Sequence, residues 1–125
     1  HGGLSRLVRM GFETLVQAGC QPEVAHLEMR HVLEDVMDQM TEGQGNTSQD
    51  ATAEYGSLLA GTRVIDGHVR AAMKAVLDDI GSGQFANRFR ADQDAGAPEL
   101  VQLRAEHASH QLVSTDERMR PRLGR

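Results

Sequence analysis

The chain has 125 residues, the length of one compact domain, and its formal net charge is −5. This acidic balance argues against a nucleic-acid partner, because phosphate binding needs a basic face. No apolar run approaches the length of a membrane span, and the single cysteine, Cys20, excludes a disulfide within the chain. We therefore expect a cytoplasmic protein in a reducing compartment, with no membrane partner.

The supply of core residues is modest. Hydrophobic residues make up 39% of the chain and aromatic residues only 3%. Such a composition suits a helical domain built on Leu, Val, Ala and Met, and a partner surface is expected to complete its core.

Two long helices are predicted at the start of the chain. The first has apolar residues at helical spacing and ends near Gly19, a residue suited to the position after a helix. The second begins with Pro22, whose missing N–H costs nothing in a first turn, and its wide apolar stripe runs to Glu42. The apolar positions of the first helix are Leu4, Leu7, Val8, Phe12, Leu15 and Val16.

The middle of the chain alternates loops and helices. Residues 43–50 form a loop by composition, and Asp50 or Thr52 caps a short helix that we expect to end at Gly61. Asp66 caps the next helix, which the Gly-Ser-Gly run at 81–83 breaks.

Three shorter helical pieces complete the prediction. One surrounds Phe85 and Phe89, and a second opens at 96–98 and continues to about Val113. Ser114 and Glu117 have capping-box spacing for a final short helix, which Pro121 limits. No stretch shows useful β-alternation, so the predicted class is all-α, in a single domain over residues 1–125.

The histidines do not form a convincing metal motif. His26 and His31 are five residues apart and point to different faces of a helix. His107 and His110 are three apart and could meet one metal, but a lone pair at this spacing is a weak signal. We interpret these four as structural or surface residues.

One face of the second helix carries two acids. Glu28, Val32 and Asp35 stand at i, i+4 and i+7 and therefore share a face, and Val32 predicts that this face is partly buried. Buried carboxylates are costly without partners, so the two acids would be paired or would line a cavity. For Asp35, the border of an amphipathic helix is an equally good interpretation.

Several separate segments carry a family resemblance. They read GGLSRLVRMGFETLVQAGCQPEVAHLE, TAEYG, GTRVIDGHVRAAMKAVLDDIGSGQFA and HASHQLVSTDERMR. In this order they resemble the C-terminal knotted helical domain of class I ketol-acid reductoisomerases. The resemblance runs from Gly2 to nearly the end of the chain.

The resemblance implies an enzyme in branched-chain amino-acid synthesis. Members of that family convert acetohydroxy acids to dihydroxy acids with NADPH and two Mg²⁺, and an N-terminal Rossmann domain binds the NADPH. Their knotted domains dimerise, and each active site uses residues of both subunits. The resemblance therefore implies an all-α knotted fold in an intertwined homodimer.

The site residues of the family match this sequence only in part. Of two glutamates one turn apart, the first matches Glu28 and the second matches Val32, which offers no oxygen to a metal. A substrate-binding serine matches Asp50, with Ser48 as the nearby alternative. The family's earlier Asp and Glu ligands would precede His1.

These departures suggest a rewritten site, because a two-metal centre needs several hard oxygen ligands. Our first hypothesis is a stand-alone domain that acts as an isomerase or cyclase on a carbonyl-containing, polyketide-like small molecule. It would need neither metal nor NADPH. The proposed acid–base residues are Glu28, Asp35 and Asp50; the proposed substrate-contacting residues are His26, His31, Val32 and Ser48.

Two alternatives stay open at this point. The chain could be a non-catalytic dimerisation or ligand-binding module, which fits its lean core. It could also be the C-terminal fragment of a divergent reductoisomerase. The absence of a start methionine favours the fragment, whereas Val32 and Asp50 oppose it.

Overall fold

The computed structural model describes residues 1–42 and 50–123, and within these ranges every regular element is helical. The all-α prediction is therefore confirmed. In chain order the elements are α1 (Gly2–Gln17), α2 (Pro22–Glu42), α3 (Ala51–Val64), α4 (Gly67–Ser82), α5 (Gln84–Asp94), α6 (Pro98–Ala108), α7 (Gln111–Met119) and a 3₁₀ turn (Arg120–Leu123).

The chain divides into two compact units. The first unit contains His1–Ser48 and Arg104–Arg125, and the second contains Gln49–Leu103. A single domain over the whole length stays a prediction, and the two units are described separately below.

The turn between α1 and α2 follows the predicted chemistry. Gly19 adopts a φ of +102°, a left-handed conformation that side chains disfavour, and its N–H bonds back to the Val16 carbonyl. Cys20 donates its N–H to the Leu15 carbonyl at 3.0 Å, which closes the helix end. Pro22 then opens α2 as predicted. These contacts set the angle at which α2 returns along α1.

The buried residues of the first unit lie where α1, α2 and α7 pack together. Phe12 on α1 is 1% exposed and is the largest apolar side chain in this core. The close approach of α1 and α2 depends on Gly11, since a Cβ there would lie 2.8 Å from the end of the Met29 side chain. The other buried residues are Ala25, His26, Thr115 and Met119.

Caps define the helices of the second unit. Asp50, rather than Thr52, caps α3 by accepting the Ala53 N–H at 2.8 Å. Asp66 caps α4 by accepting the His68 N–H at 3.0 Å, as predicted. Gly83 has a φ of +85° and separates α4 from α5, so the predicted break falls at the last residue of the Gly-Ser-Gly run.

The junction between α5 and α6 is held by one aspartate. Asp92 accepts the backbone N–H groups of Glu99 at 2.8 Å and Leu100 at 3.2 Å. It thereby satisfies donors in the first turn of α6 that have no partner within the helix. Arg88 on α5 also forms a two-pronged ion pair with Glu99, which raises the pKa of the Arg88 guanidinium.

Three predicted helix boundaries are wrong. α3 continues through Gly61 to Val64, because a glycine within a helix weakens it without ending it. α6 stops at Ala108 rather than near Val113, and Ser114 lies inside α7 instead of capping it. The true cap of α7 is the His110 side chain, a residue type that sequence rules do not emphasise in this role.

The second unit buries little in this chain. None of residues 50–103 is buried, although α4 and α5 pack against each other. Its exposed apolar side chains are Tyr55, Leu58, Leu59, Val64, Ile65, Met73, Val76, Leu77, Ile80, Phe85, Phe89, Val101 and Leu103. Helices with such uncovered faces need another surface to be stable.

No helix in the described part of the chain has both the length and the apolar character to cross a bilayer.

Candidate functional site

The predicted acidic face of α2 is present, but it is open to solvent in this chain. Successive residues of an α-helix are about 100° apart, so Glu28, Val32 and Asp35 lie within about 60° of one another. Glu28 is exposed, Asp35 is half-buried and Val32 is 51% exposed. The expected burial of this face is not observed in the single chain.

His26 lies on the opposite side of α2, about 160° from Glu28. It is 7% exposed, and its Nε2 lies 3.0 Å from Oδ1 of Asp116 on α7. Its buried Nδ1 has no hydrogen-bond partner among the described residues. The pair ties α7 to α2, and the structure does not bring His26 together with Glu28.

Asp116 is the centre of a small ionic cluster in the first unit. Its Oδ2 accepts hydrogen bonds from Nε of Arg120 at 3.0 Å and from a terminal nitrogen at 2.6 Å. These bonds, and then the one from His26, hold the pKa of the Asp116 carboxyl below its usual value despite some desolvation. The same pairing raises the pKa of Arg120.

His110 joins α7 to α1. Its Nδ1 accepts the Leu112 N–H at 3.1 Å, so Nε2 carries the ring proton and donates it to Oε1 of Glu13 at 2.7 Å. The ring also contacts Phe12, with centroids 6.2 Å apart. The hydrogen bond from His110 lowers the pKa of Glu13. This histidine therefore caps one helix and binds another.

The two histidines near the end of the chain have different partners. His107 contacts the guanidinium of Arg9 through Nδ1, whereas His110 faces Glu13. No group of three potential metal ligands occurs in the described ranges. The structural interpretation of His107 and His110 agrees with these contacts.

A groove of about 950 Å³ runs along the first unit. Its acids are paired, since Glu34 accepts from Arg30 at 2.8 Å and Asp116 accepts from Arg120. Because His26 is part of its wall, the groove lies on the side of α2 that faces away from Glu28. Its apolar residues are Leu4, Val8, Met29, Leu33, Leu112 and Val113.

The remaining predicted site residues have varied positions. His31 is exposed on α2, about 140° from His26, as their five-residue spacing predicts. Asp50 is predicted both as a possible helix cap and as an acid–base residue. In the structure its carboxylate caps α3. Ser48 lies outside the described residues. Catalytic or substrate-binding roles for these residues stay predictions.

The donor set of the α2 face does not fit the Mg²⁺ that the family resemblance implies. Mg²⁺ takes hard oxygen ligands in octahedral geometry, and the residue one turn after Glu28 is an aliphatic valine. We therefore derive no chemical step that uses a metal on this chain.

The ionic contacts of α7 predict acid sensitivity. Glu13 and Asp116 have pKa values lowered from 4.5 and 3.8 in the folded chain, so they stabilise it above those values. This stabilisation should be lost as the pH falls below about 4 through the lowered values. We expect the urea midpoint of the wild type to fall more between pH 6 and pH 3 than that of the double variant Glu13→Gln, Asp116→Asn. An equal fall of the urea midpoint in the two proteins over this pH range would contradict the stabilising role of these carboxylates.

No local sequence pattern predicts these contacts. Glu13 and His110 are 97 residues apart, and His26 and Asp116 are 90 apart. Each would be an ordinary polar residue on its own helix. Only the packing of α7 against α1 and α2 makes them partners.

Comparison with known proteins finds one family over nearly the whole chain. Residues 1–124 match the family model described as "Ketol-acid reductoisomerase, C-terminal domain". Proteins named "Ketol-acid reductoisomerase (NADP(+))" from Leifsonia xyli and Tropheryma whipplei are 50% and 49% identical over 122 residues. The match covers 95% of this chain and 36% and 37%, respectively, of the two relatives.

A solved structure agrees with this result. The NADH-preferring ketol-acid reductoisomerase from an uncultured archean superposes with a TM-score of 0.87 at 33% identity. The superposition covers 96% of this chain and 37% of that protein. The chain thus spans little more than a third of the length of these relatives.

These matches correct the first functional hypothesis. Relatives that are about 50% identical in sequence over nearly the whole chain are named as reductoisomerases. This finding contradicts a repurposed isomerase or cyclase. That hypothesis rested on sequence differences at a few site positions, whereas the family match extends over residues 1–124. The fragment alternative agrees better with the matches. The chain therefore belongs to the ketol-acid reductoisomerase family and corresponds to its C-terminal helical domain.

Proposed function

We propose that this chain works as the C-terminal helical domain of a ketol-acid reductoisomerase that uses NADP(H) to convert an acetohydroxy acid to a dihydroxy acid. The observation that carries this proposal is the 50% identity to a named reductoisomerase across 95% of the chain. The whole reaction needs a nicotinamide site, because hydride delivery is the cofactor's chemistry. We assign that site to the part of such a protein outside this chain.

We further propose that the domain pairs with a second copy in the knotted, intertwined dimer that the family resemblance implies. The support is the uncovered apolar surface of the second unit, where none of the described residues is buried. The second unit exposes many large apolar side chains, and large exposed apolar patches on soluble proteins typically mark interaction surfaces. A second copy would supply the missing cover without any further partner.

Within this proposal, the exposed side of α2 faces the reacting groups. Glu28 projects from that side, away from the helices packed around Phe12 and His26. An exposed carboxylate on a rigid helix can accept a hydrogen bond from a substrate hydroxyl that another chain or domain holds. The packed groove on the other side would then serve the fold and not the reaction.

The first test is the intact mass of the native gene product, together with NADPH consumption on an acetohydroxy acid. We expect a mass well above the 13.7 kDa of this chain and consumption that the chain alone does not support. A native product of 13.7 kDa that purifies without any nucleotide-binding chain would overturn the proposal. So would a full-length product that consumes no NADPH with any acetohydroxy acid.

A further inference from the structure

We infer that the Glu28 face of α2 does not bind a divalent cation, and that Val32 is the residue that prevents it. The inference rests on the proposed function for one point only, which is that the family of that function holds Mg²⁺ at the matching positions. Its remaining support comes from the positions of the side chains on α2 and from the partners that other polar residues already have.

The first argument is the spacing on the helix. Glu28 and Val32 are one turn apart, about 6 Å along the axis, and their side chains lie side by side. Two carboxylates at this spacing can hold one cation between them, but Val32 contributes only methyl groups. Mg²⁺ requires oxygen atoms at about 2.0–2.1 Å in a near-octahedral shell, so one carboxylate leaves the shell to water.

Asp35 cannot replace the missing ligand. It lies seven residues beyond Glu28, about 10.5 Å along the axis, which is too far for both carboxylates to reach one small cation. The surroundings are also unsuitable, because Val24 and Val36 on the same side of the helix are each 45% exposed. The aliphatic side chains beside Glu28 offer no ligand atoms, and their apolar surface disfavours a hydrated cation.

Two of the other predicted polar residues have partners away from this face. His26 lies on the opposite side of α2 and is held by Asp116 at 3.0 Å. One Asp50 oxygen accepts the Ala53 N–H as the cap of α3. In the portion of the chain that the structure describes, no three potential ligands come together. Within the described ranges, therefore, no group of ligands compensates for the valine at position 32.

The test uses Mn²⁺ as a paramagnetic probe and measures its binding to the purified chain by electron paramagnetic resonance. We expect the wild type to show no saturable Mn²⁺ binding that depends on Glu28. Glu28→Gln should therefore bind Mn²⁺ like the wild type. Val32→Glu should create saturable binding at Mn²⁺ concentrations at least about tenfold below those at which the wild type binds any, because even indirect changes at metal sites alter affinity by 10- to 100-fold. The double variant Glu28→Gln, Val32→Glu should lose that gain.

Val36→Glu is the matched control. Position 36 is an exposed valine on the same helix, so the substitution adds the same charge, but it lies two turns from Glu28. The circular dichroism of each variant checks that the helices remain. Saturable wild-type binding that depends on Glu28 would overturn the inference, and so would an equal gain in Val36→Glu. Neither of these two results would contradict the proposed function, because NADPH consumption and the native mass test the proposed function separately.

Discussion

Replacing Phe12 with alanine should destabilise the first unit more than any other single truncation in this chain. Phe12 is 1% exposed, and its ring lies against His110 at the point where α1 and α7 meet. Truncating a buried phenylalanine typically costs about 3–5 kcal/mol, from lost burial and from the cavity that remains. The measurement is urea unfolding followed by circular dichroism at one fixed protein concentration, because assembly would otherwise shift the midpoint.

Met40→Ala is the control for this truncation. Met40 lies on α2 of the same unit and is 78% exposed, so its removal should change the free energy of unfolding by less than about 0.5 kcal/mol. A loss below about 1 kcal/mol for Phe12→Ala would mean that α1 and α7 do not share a core. The ionic contacts around Asp116 would then be left as the main support of α7.

The second large effect concerns assembly. Leu77 is 66% exposed on the apolar face of α4, and an aspartate there would place a charge inside the proposed dimer interface. We expect Leu77→Asp to weaken self-association by about 2 kcal/mol or more, roughly thirtyfold in dissociation constant. Sedimentation equilibrium over a range of concentrations would measure it. The neighbouring apolar residues on this face are Met73, Val76 and Ile80.

Ala71→Asp is the matched control on the opposite side of α4, where Ala71 is also exposed. It adds the same charge to the same helix and lowers helix propensity by a similar amount. We expect the Ala71 variant to associate like the wild type. If the wild type is itself a monomer at high concentration, or if both variants dissociate alike, the α4 face is not the interface.

The helix pattern was predictable because local interactions set it. The turn after α1 needs Gly19 at positive φ, Pro22 suits the first turn of α2, and Asp66 caps α4 through its own side chain. Each of these signals acts within a few residues. The boundary near Val113 was wrong because the cap of α7 is a histidine that also depends on Glu13, 97 residues away.

The candidate site shows a similar limit. Helical spacing alone placed Glu28, Val32 and Asp35 on one face and separated His26 from His31. Spacing could not show which face of α2 packs inward, because both sides carry apolar residues. The packing of α7 settles this point, since it buries His26 and leaves Val32 half exposed.

From the amino-acid order alone come the all-α class, most helix ends, the family resemblance and the loss of an oxygen ligand at Val32. The class and the helix ends follow from residue chemistry and from periodicity over one helix, whereas the loss at Val32 is what the family resemblance implies. The packed structure was needed to identify the Phe12 core, the pairing of His26 with Asp116 and that of His110 with Glu13. It was also needed to show that none of residues 50–103 is buried in a single chain. The core and the two pairs join residues far apart in sequence, and the exposure of residues 50–103 depends on which distant surfaces fail to cover them. No local pattern encodes which distant surfaces meet.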